Sequence, residues 1–117
     1  MCIVLCGTTG ALKAQQSLIY TDLYANYKKA MELYENKMYA TAQEYFEQVG
    51  SVTPEGTDGD IFTYVSNSRY YAAICAIELN NTDAEKMMLD FVHNNPGNVM
   101  LGSAYNQLGK LYYNKKE

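Results

Sequence analysis

Side chains able to do chemistry are few and scattered. Three cysteines, Cys2, Cys6 and Cys75, form neither a pairwise disulfide framework nor a C-x-x-C metal spacing, which excludes a structural zinc site. Cys75 lies in the apolar run YYAAICAIEL, where a free cysteine acts as a small hydrophobe and its thiol is inert. The single histidine, His93 in DFVHNNPG, has no second His or Cys near it in sequence, so it is read as a contact with the negative end of a helix. Glu55, Asp58 and Asp60 in EGTDGD resemble a calcium loop only at first sight. The glycine and the distal Glu of an EF-hand are missing, and the segment is read as a solvated turn. Asn80, Asn81 and Thr82 spell an N-glycosylation acceptor, although Thr82 also fits as a helix cap. No glycine-rich phosphate loop is present. The expectation is a non-enzyme with no catalytic residue, no metal and no cofactor, whose mechanism is binding.

What the chain has in quantity is tyrosine: twelve, against three Phe and no Trp, among 117 residues. Tyrosine supplies a large apolar ring with a hydroxyl that can stay wet, which suits helix interfaces and binding surfaces equally. Net charge is −4, and Lys and Arg form no dense patch, so nucleic acid is excluded as a partner. With 48% hydrophobic residues, the length bounds one domain with a real core. Residues 1–16, MCIVLCGTTGALKAQQ, differ in kind. A short apolar run, then small residues with Ala14 before Gln15, reads as the back half of a secretory signal peptide, yet no basic residue precedes it. Either the start lies upstream of Met1 or the segment is a disordered leader that does not pack on the body. Leu5 stands where a lipobox has a small residue, so no lipid anchor is expected. No run approaches the ~18 apolar residues of a membrane helix.

Residues 17–117 carry the helical period throughout, with no alternating strand pattern, so the fold class is all-α. The first helix is expected from Thr21, as N-cap, to Asn36, with Leu23, Tyr27, Ala30, Leu33 and Tyr34 along one side. Others follow over 38–52, 61–79 and 99–115. Between the last two, a helix starts at TDAE, where Thr82 and Glu85 spell a capping box, and ends at NNPGN.

Sliding the chain by 42 residues superimposes Ala30 on Ala72, Leu33 on Cys75, Ala42 on Ala84, Phe46 on Met88, Val49 on Phe91 and Pro54 on Pro96. These are the small and apolar positions of a helix pair closed by a proline, as a duplicated hairpin requires. A shift of 37 carries Tyr71, Ala72 and Cys75 onto Leu108, Gly109 and Tyr112. The pattern is therefore two hairpins, about 21–54 and 61–96, and a half repeat over 99–117, a chain that stops half way through a repeat.

YNQLGKLY, Tyr105 to Tyr112, resembles the tetratricopeptide pattern W-x-x-L-G-x-x-Y with Tyr for Trp, and AQEYF, Ala42 to Phe46, followed by Pro54 resembles its A-x-x-x-F…P half. The 42-residue spacing exceeds the usual 34 and also fits a HEAT-like array. FVHNNPGN followed by SAYNQLGKLYY resembles the exported tetratricopeptide scaffolds of Gram-negative envelopes. The resemblance implies a right-handed solenoid of stacked hairpins that binds protein or peptide partners, located in the periplasm or cell envelope, with a cytoplasmic location as the alternative. It implies that Ala30, Ala72 and Gly109 meet Ala42 and Ala84 where helices approach closely, and that Phe46, Val49, Met88 and Phe91 fill the space between hairpins. By position, the concave groove then takes Tyr24, Tyr27, Met31 and Tyr34 from the first hairpin, Arg69, Ala73 and Ile77 from the second, and Asn106, Lys110, Tyr113 and Asn114 from the half repeat. Such a face suits a peptide with an apolar anchor. A structural spacer of a longer solenoid is the other reading, and self-association through the uncapped C-terminal helix is expected.

Overall fold

The computed structural model describes the backbone of residues 8–54 and 59–115, and the side chains of 22–54 and 59–115. Among the described residues there are five helices and no strand: α1 (Thr8–Glu35), α2 (Tyr39–Gly50), α3 (Gly59–Glu78), α4 (Ala84–Asn94) and α5 (Leu101–Lys115). The apolar run at the start of the chain, with Cys2 and Cys6, lies outside the described residues, as do Glu55 and Asp58. Two expectations are corrected here. Helix α1 is already formed at Thr8, which puts Thr21 in its interior rather than at its N-cap. Helix α4 starts one residue beyond Asp83, and no side chain caps it, so the Thr82–Glu85 capping box does not form. Glu85 instead accepts a hydrogen bond from Lys115 Nζ of α5.

Each helix packs on its neighbour in the chain, and α1 also packs on α3. Both α1 and α3 end in the same way. Met38 N donates to Leu33 O and Lys37 N to Tyr34 O, while Asn81 N donates to Ala76 O and Asn80 N to Ile77 O. Lys37 (φ 61°) and Asn80 (φ 58°) therefore occupy the left-handed position of a Schellman turn. Glycine is the usual occupant, and its absence hides both turns from sequence inspection.

The core is divided among successive helices. Leu23, Val49, Ile61 and Val65 form one cluster of α1, α2 and α3. Ala30, Leu33, Ala42, Phe46, Ala72 and Cys75 form a second on the same helices. A third joins α3, α4 and α5 through Tyr70, Ala73, Ile74, Met88, Phe91, Ala104 and Leu108. Helix α3 belongs to all three. Its buried residues include the unbroken run Ala72 to Ala76, which spans more than a full turn and so faces every direction. Ala84, in α4, is likewise buried.

The connection from α4 to α5 is held by two asparagines three residues apart. Asn95 is buried and donates to Phe91 O, and Asn98 Nδ2 donates to Ser66 Oγ and Asn67 Oδ1 on α3. Asn98 Oδ1 also accepts from Met100 N, fixing the entry to α5. Gly97 between them has φ 95°, a conformation open to glycine at little cost.

Candidate functional site

Two sides of the helix stack differ in how they are filled. On the first, α1 faces α3 across a layer of aromatic rings. Tyr27 and Tyr34 are seven residues apart on α1, as are Tyr64 and Tyr71 on α3, so each pair spans two turns of one helix face. Tyr64 lies with ring centroids 5.4 Å from Tyr24 and 4.9 Å from Tyr27. Tyr71 lies 5.2 Å from Tyr34 and is stacked 5.3 Å from Phe46. Tyr39, Tyr70 and Phe91 extend the same network through Tyr34 and Tyr71. Edge and tilted contacts of this kind add to the burial of each ring.

Exposure along this layer is graded. Tyr24 is 49% exposed, Tyr27, Met31, Tyr34, Tyr64 and Tyr71 are half-buried, and Phe46 is fully buried beneath them. The layer is thus both packing and surface, with rings whose inner edges are fixed and whose outer parts are open. Burial pushes the Tyr34 phenol up to about 12, with smaller contributions from Tyr70, Tyr71, Tyr39 and Cys75. Tyr71 and Tyr70 are also raised, chiefly by burial, although a hydrogen bond to Ser103 works against the shift at Tyr70. These three phenols stay protonated at neutral pH and can both donate and accept.

On the second side, α2 faces α4 across a groove. Its cavity measures about 470 Å³. One end is closed by Gln43 Nε2, 4.0 Å from Met87 Sδ, and by Asn81 Nδ2 on Gln43 Oε1. Phe46, Ala72 and Phe91 contribute to the lining, as do Glu47, Asp90 and Asn94, and Arg69. Arg69 Nε donates to Gly50 O at 2.8 Å, Nη2 to Val52 O and Nη1 to Asn95 Oδ1. One guanidinium therefore ties the C-terminal end of α2 to that of α4, where carbonyls lack helical partners and the dipole favours a cation. A Cβ on Gly50 would sit 3.1 Å from Arg69 Cγ, close enough that the arginine stem would have to give by a few tenths of an ångström.

The groove positions expected from the sequence separate accordingly. Tyr24, Tyr27, Met31 and Tyr34 lie together on the α1 side of the aromatic layer. Ala73 is corrected: it is fully buried and presents nothing to an open face. Arg69 is corrected from a groove cation to the clasp between helix ends. Ile77 is half-buried against the α3–α4–α5 cluster. Asn106, Lys110, Tyr113 and Asn114 are exposed on α5, where with Tyr105 and Gly109 they line a shallow depression of about 420 Å³. Of the expected packing residues, Tyr105, Gly109 and Tyr112 are also exposed, and nothing lies within 4 Å of a Cβ built on Gly109. No helix approaches there, so the small residue has no packing role among the described residues. Pro54 is half-buried and Pro96 exposed. Tyr64 was missed as a site residue, although its seven-residue spacing to Tyr71 repeats that of Tyr27 and Tyr34.

Cys75 is free and buried, and burial, with Glu78 and Glu47 nearby, pushes its thiol up to about 12. A thiol so held is not a nucleophile at neutral pH. Among the described residues no group of three or more His, Cys, Asp or Glu side chains stands close enough to hold a metal ion, and no helix is long and apolar enough to cross a membrane. No protein-family model, curated protein or solved structure matches the chain.

Proposed function

We propose that this chain is a protein-interaction module of tetratricopeptide-like build, taking an extended or helical peptide with an apolar anchor along the α1–α3 tyrosine face. The observation that carries the reading is the half-open ring layer of Tyr24, Tyr27, Tyr64 and Tyr71, in which Phe46 supports Tyr27 and Tyr71 from below and Tyr64 joins Tyr24 to Tyr27. Rings held on one side lose little conformational freedom when a partner covers the other, which is why tyrosine is frequent at binding hot spots. The serial contact of α1 with α2 and α3, and the 42-residue repeat of buried small residues, support the stacked-hairpin build. Residence in a Gram-negative envelope belongs to the same proposal and rests on the leader and the resemblance alone.

A photo-crosslinking residue at position 24, whose side chain is open, tests this reading. A discrete cross-linked partner is expected in envelope extracts. Tyr24→Ala and Tyr27→Ser should then weaken binding of that partner by about tenfold or more, as loss of aromatic anchors does, with the helical circular dichroism unchanged. Unchanged affinity would favour a structural spacer instead.

A further inference from the structure

Helix α5 packs on the rest of the molecule through Met100 at its start and through Leu101, Ala104, Leu108 and Leu111. Its outer side carries Gly102, Tyr105, Gly109 and Tyr113, at steps of three, four and four residues, which is one face of a helix. All four are exposed, Tyr105 at 60% and Tyr113 at 65%. A Cβ built on Gly102 or on Gly109 meets nothing within 4 Å, so the stripe alternates two notches with two rings that stand out. The notch at Gly109 opens into the depression of about 420 Å³ that Tyr105 and Tyr113 flank, and Lys110 is the one charged side chain lining it. This stripe plays no part in the tyrosine-face reading.

The order of rings and notches makes the stripe complementary to itself. Tyr105 and Gly109 lie two residues to either side of Gln107, and Gly102 and Tyr113 lie five and six residues to either side. An antiparallel copy related by a two-fold axis beside Gln107 therefore sets each Tyr105 on a Gly109 and each Tyr113 on a Gly102, all in one register. Large side chains facing small ones let two helices approach and interdigitate. A parallel pair would set ring on ring and notch on notch. We infer that α5 is a self-pairing face, docking antiparallel on α5 of a second copy in that register. Taking a tyrosine as about 200 Å², the two exposures leave about 250 Å² of ring open in each copy, and the pair covers about 500 Å². With the flanking residues the contact stays below the ~1,200 Å² of a standard interface, so the pair is weak and follows concentration. Both copies use the same stripe, which closes the assembly at the dimer. Lys110 repeats in the second copy, so no ion pair holds the contact.

Sedimentation velocity on the full chain over a concentration series should show monomer passing to dimer and nothing larger. Added salt should hold or strengthen the dimer, because the like charges of the two Lys110 side chains are screened. Gly109→Leu fills the notch and should weaken association by about tenfold or more, while the helical circular dichroism and the urea midpoint hold or rise, since leucine is the better helix former. Tyr105→Ala with Tyr113→Ala should weaken it as much, and Tyr24→Ala should leave it unchanged. The register is read by cross-linking in a Cys2→Ser, Cys6→Ser background. Asn106→Cys lies beside the axis, about 3 Å along the helix from its mate, and should form a disulfide dimer. Asn114→Cys lies about 21 Å from its mate and should not. A chain that stays monomeric at millimolar concentration, a dimer indifferent to Gly109→Leu, growth beyond the dimer, or equal cross-linking at 106 and 114 would each overturn the inference. So would a monomer whose α5 amide resonances shift only with a foreign peptide, which would give the stripe another occupant. Cross-linking of a partner from position 24 should be the same in Gly109→Leu, so failure here leaves the tyrosine-face reading standing.

Discussion

The α1–α3 side is filled by rings and the α2–α4 side is held open, although the sequence repeat relates the two hairpins as wholes. The difference comes from side-chain size at facing positions. Helices α1 and α3 set Tyr27, Tyr34, Tyr64 and Tyr71 against one another. Helices α2 and α4 offer Glu47, Gly50, Met87 and Asp90, which are short, flexible or charged and leave a cavity between them. Arg69 bridges that gap with hydrogen bonds rather than apolar contact.

The severest way to break the contrast is Phe46→Ala. Phe46 is fully buried, touches Tyr27, Tyr34 and Tyr71, and also lines the groove, so its loss removes the ring on which both sides rest. A cost of about 3–5 kcal/mol is expected in urea unfolding. Arg69→Met is expected to cost about 1–3 kcal/mol, the penalty of leaving the carbonyls of Gly50 and Val52 and the amide of Asn95 without their donor. If Arg69→Met costs as much as Phe46→Ala, the open side is as tightly coupled as the filled one and the contrast fails.

Alkaline titration probes the filled side without substitution. Cys75, ordinarily 9.0, and Tyr34, ordinarily 10.0, are both raised to about 12 by burial. A raised acid favours its neutral form in the folded state. Its stabilisation is therefore complete below the unfolded value and is lost as pH climbs to the folded one. Unfolding free energy should hold up to about pH 9 and fall between pH 9 and 12, and Cys75→Ala with Tyr34→Phe should flatten that fall. The smallest effect belongs to α5. Gly109→Ala meets no neighbour within 4 Å and should raise stability by about 0.5–1 kcal/mol through helix propensity. A loss there in dilute solution would mean that a helix does approach Gly109.

The buried half of the repeat was legible because small and apolar side chains at three- and four-residue steps have one physical use. Ala30, Leu33, Ala42, Phe46, Val49, Ala72, Cys75, Ala84, Met88 and Phe91 are all buried. Leu108 is buried with them, whereas Tyr105, Gly109 and Tyr112 are exposed although they fit the same pattern. A motif records which face a helix can bury, and burial needs a neighbour. Helix starts were misjudged at Thr21 and Thr82 because a hydroxyl residue marks a cap only where the chain before it is not already helical or turned.

Sequence alone thus determined the all-α class, the nine-residue step from Leu33 to Ala42 that recurs from Cys75 to Ala84, and the poverty of reactive groups. All three are local or compositional, fixed by residue type and spacing before any helix meets another. Tertiary structure decided what the polar and aromatic residues do. Arg69, read as a groove cation, became a clasp because two helix C-termini converge on it. The tyrosines became a half-open layer because α1 meets α3 at the spacing of two rings. Amphipathic period specifies that a side chain points inward or outward from its own helix, and only the distance to the next helix decides whether it is covered, bridged or left free.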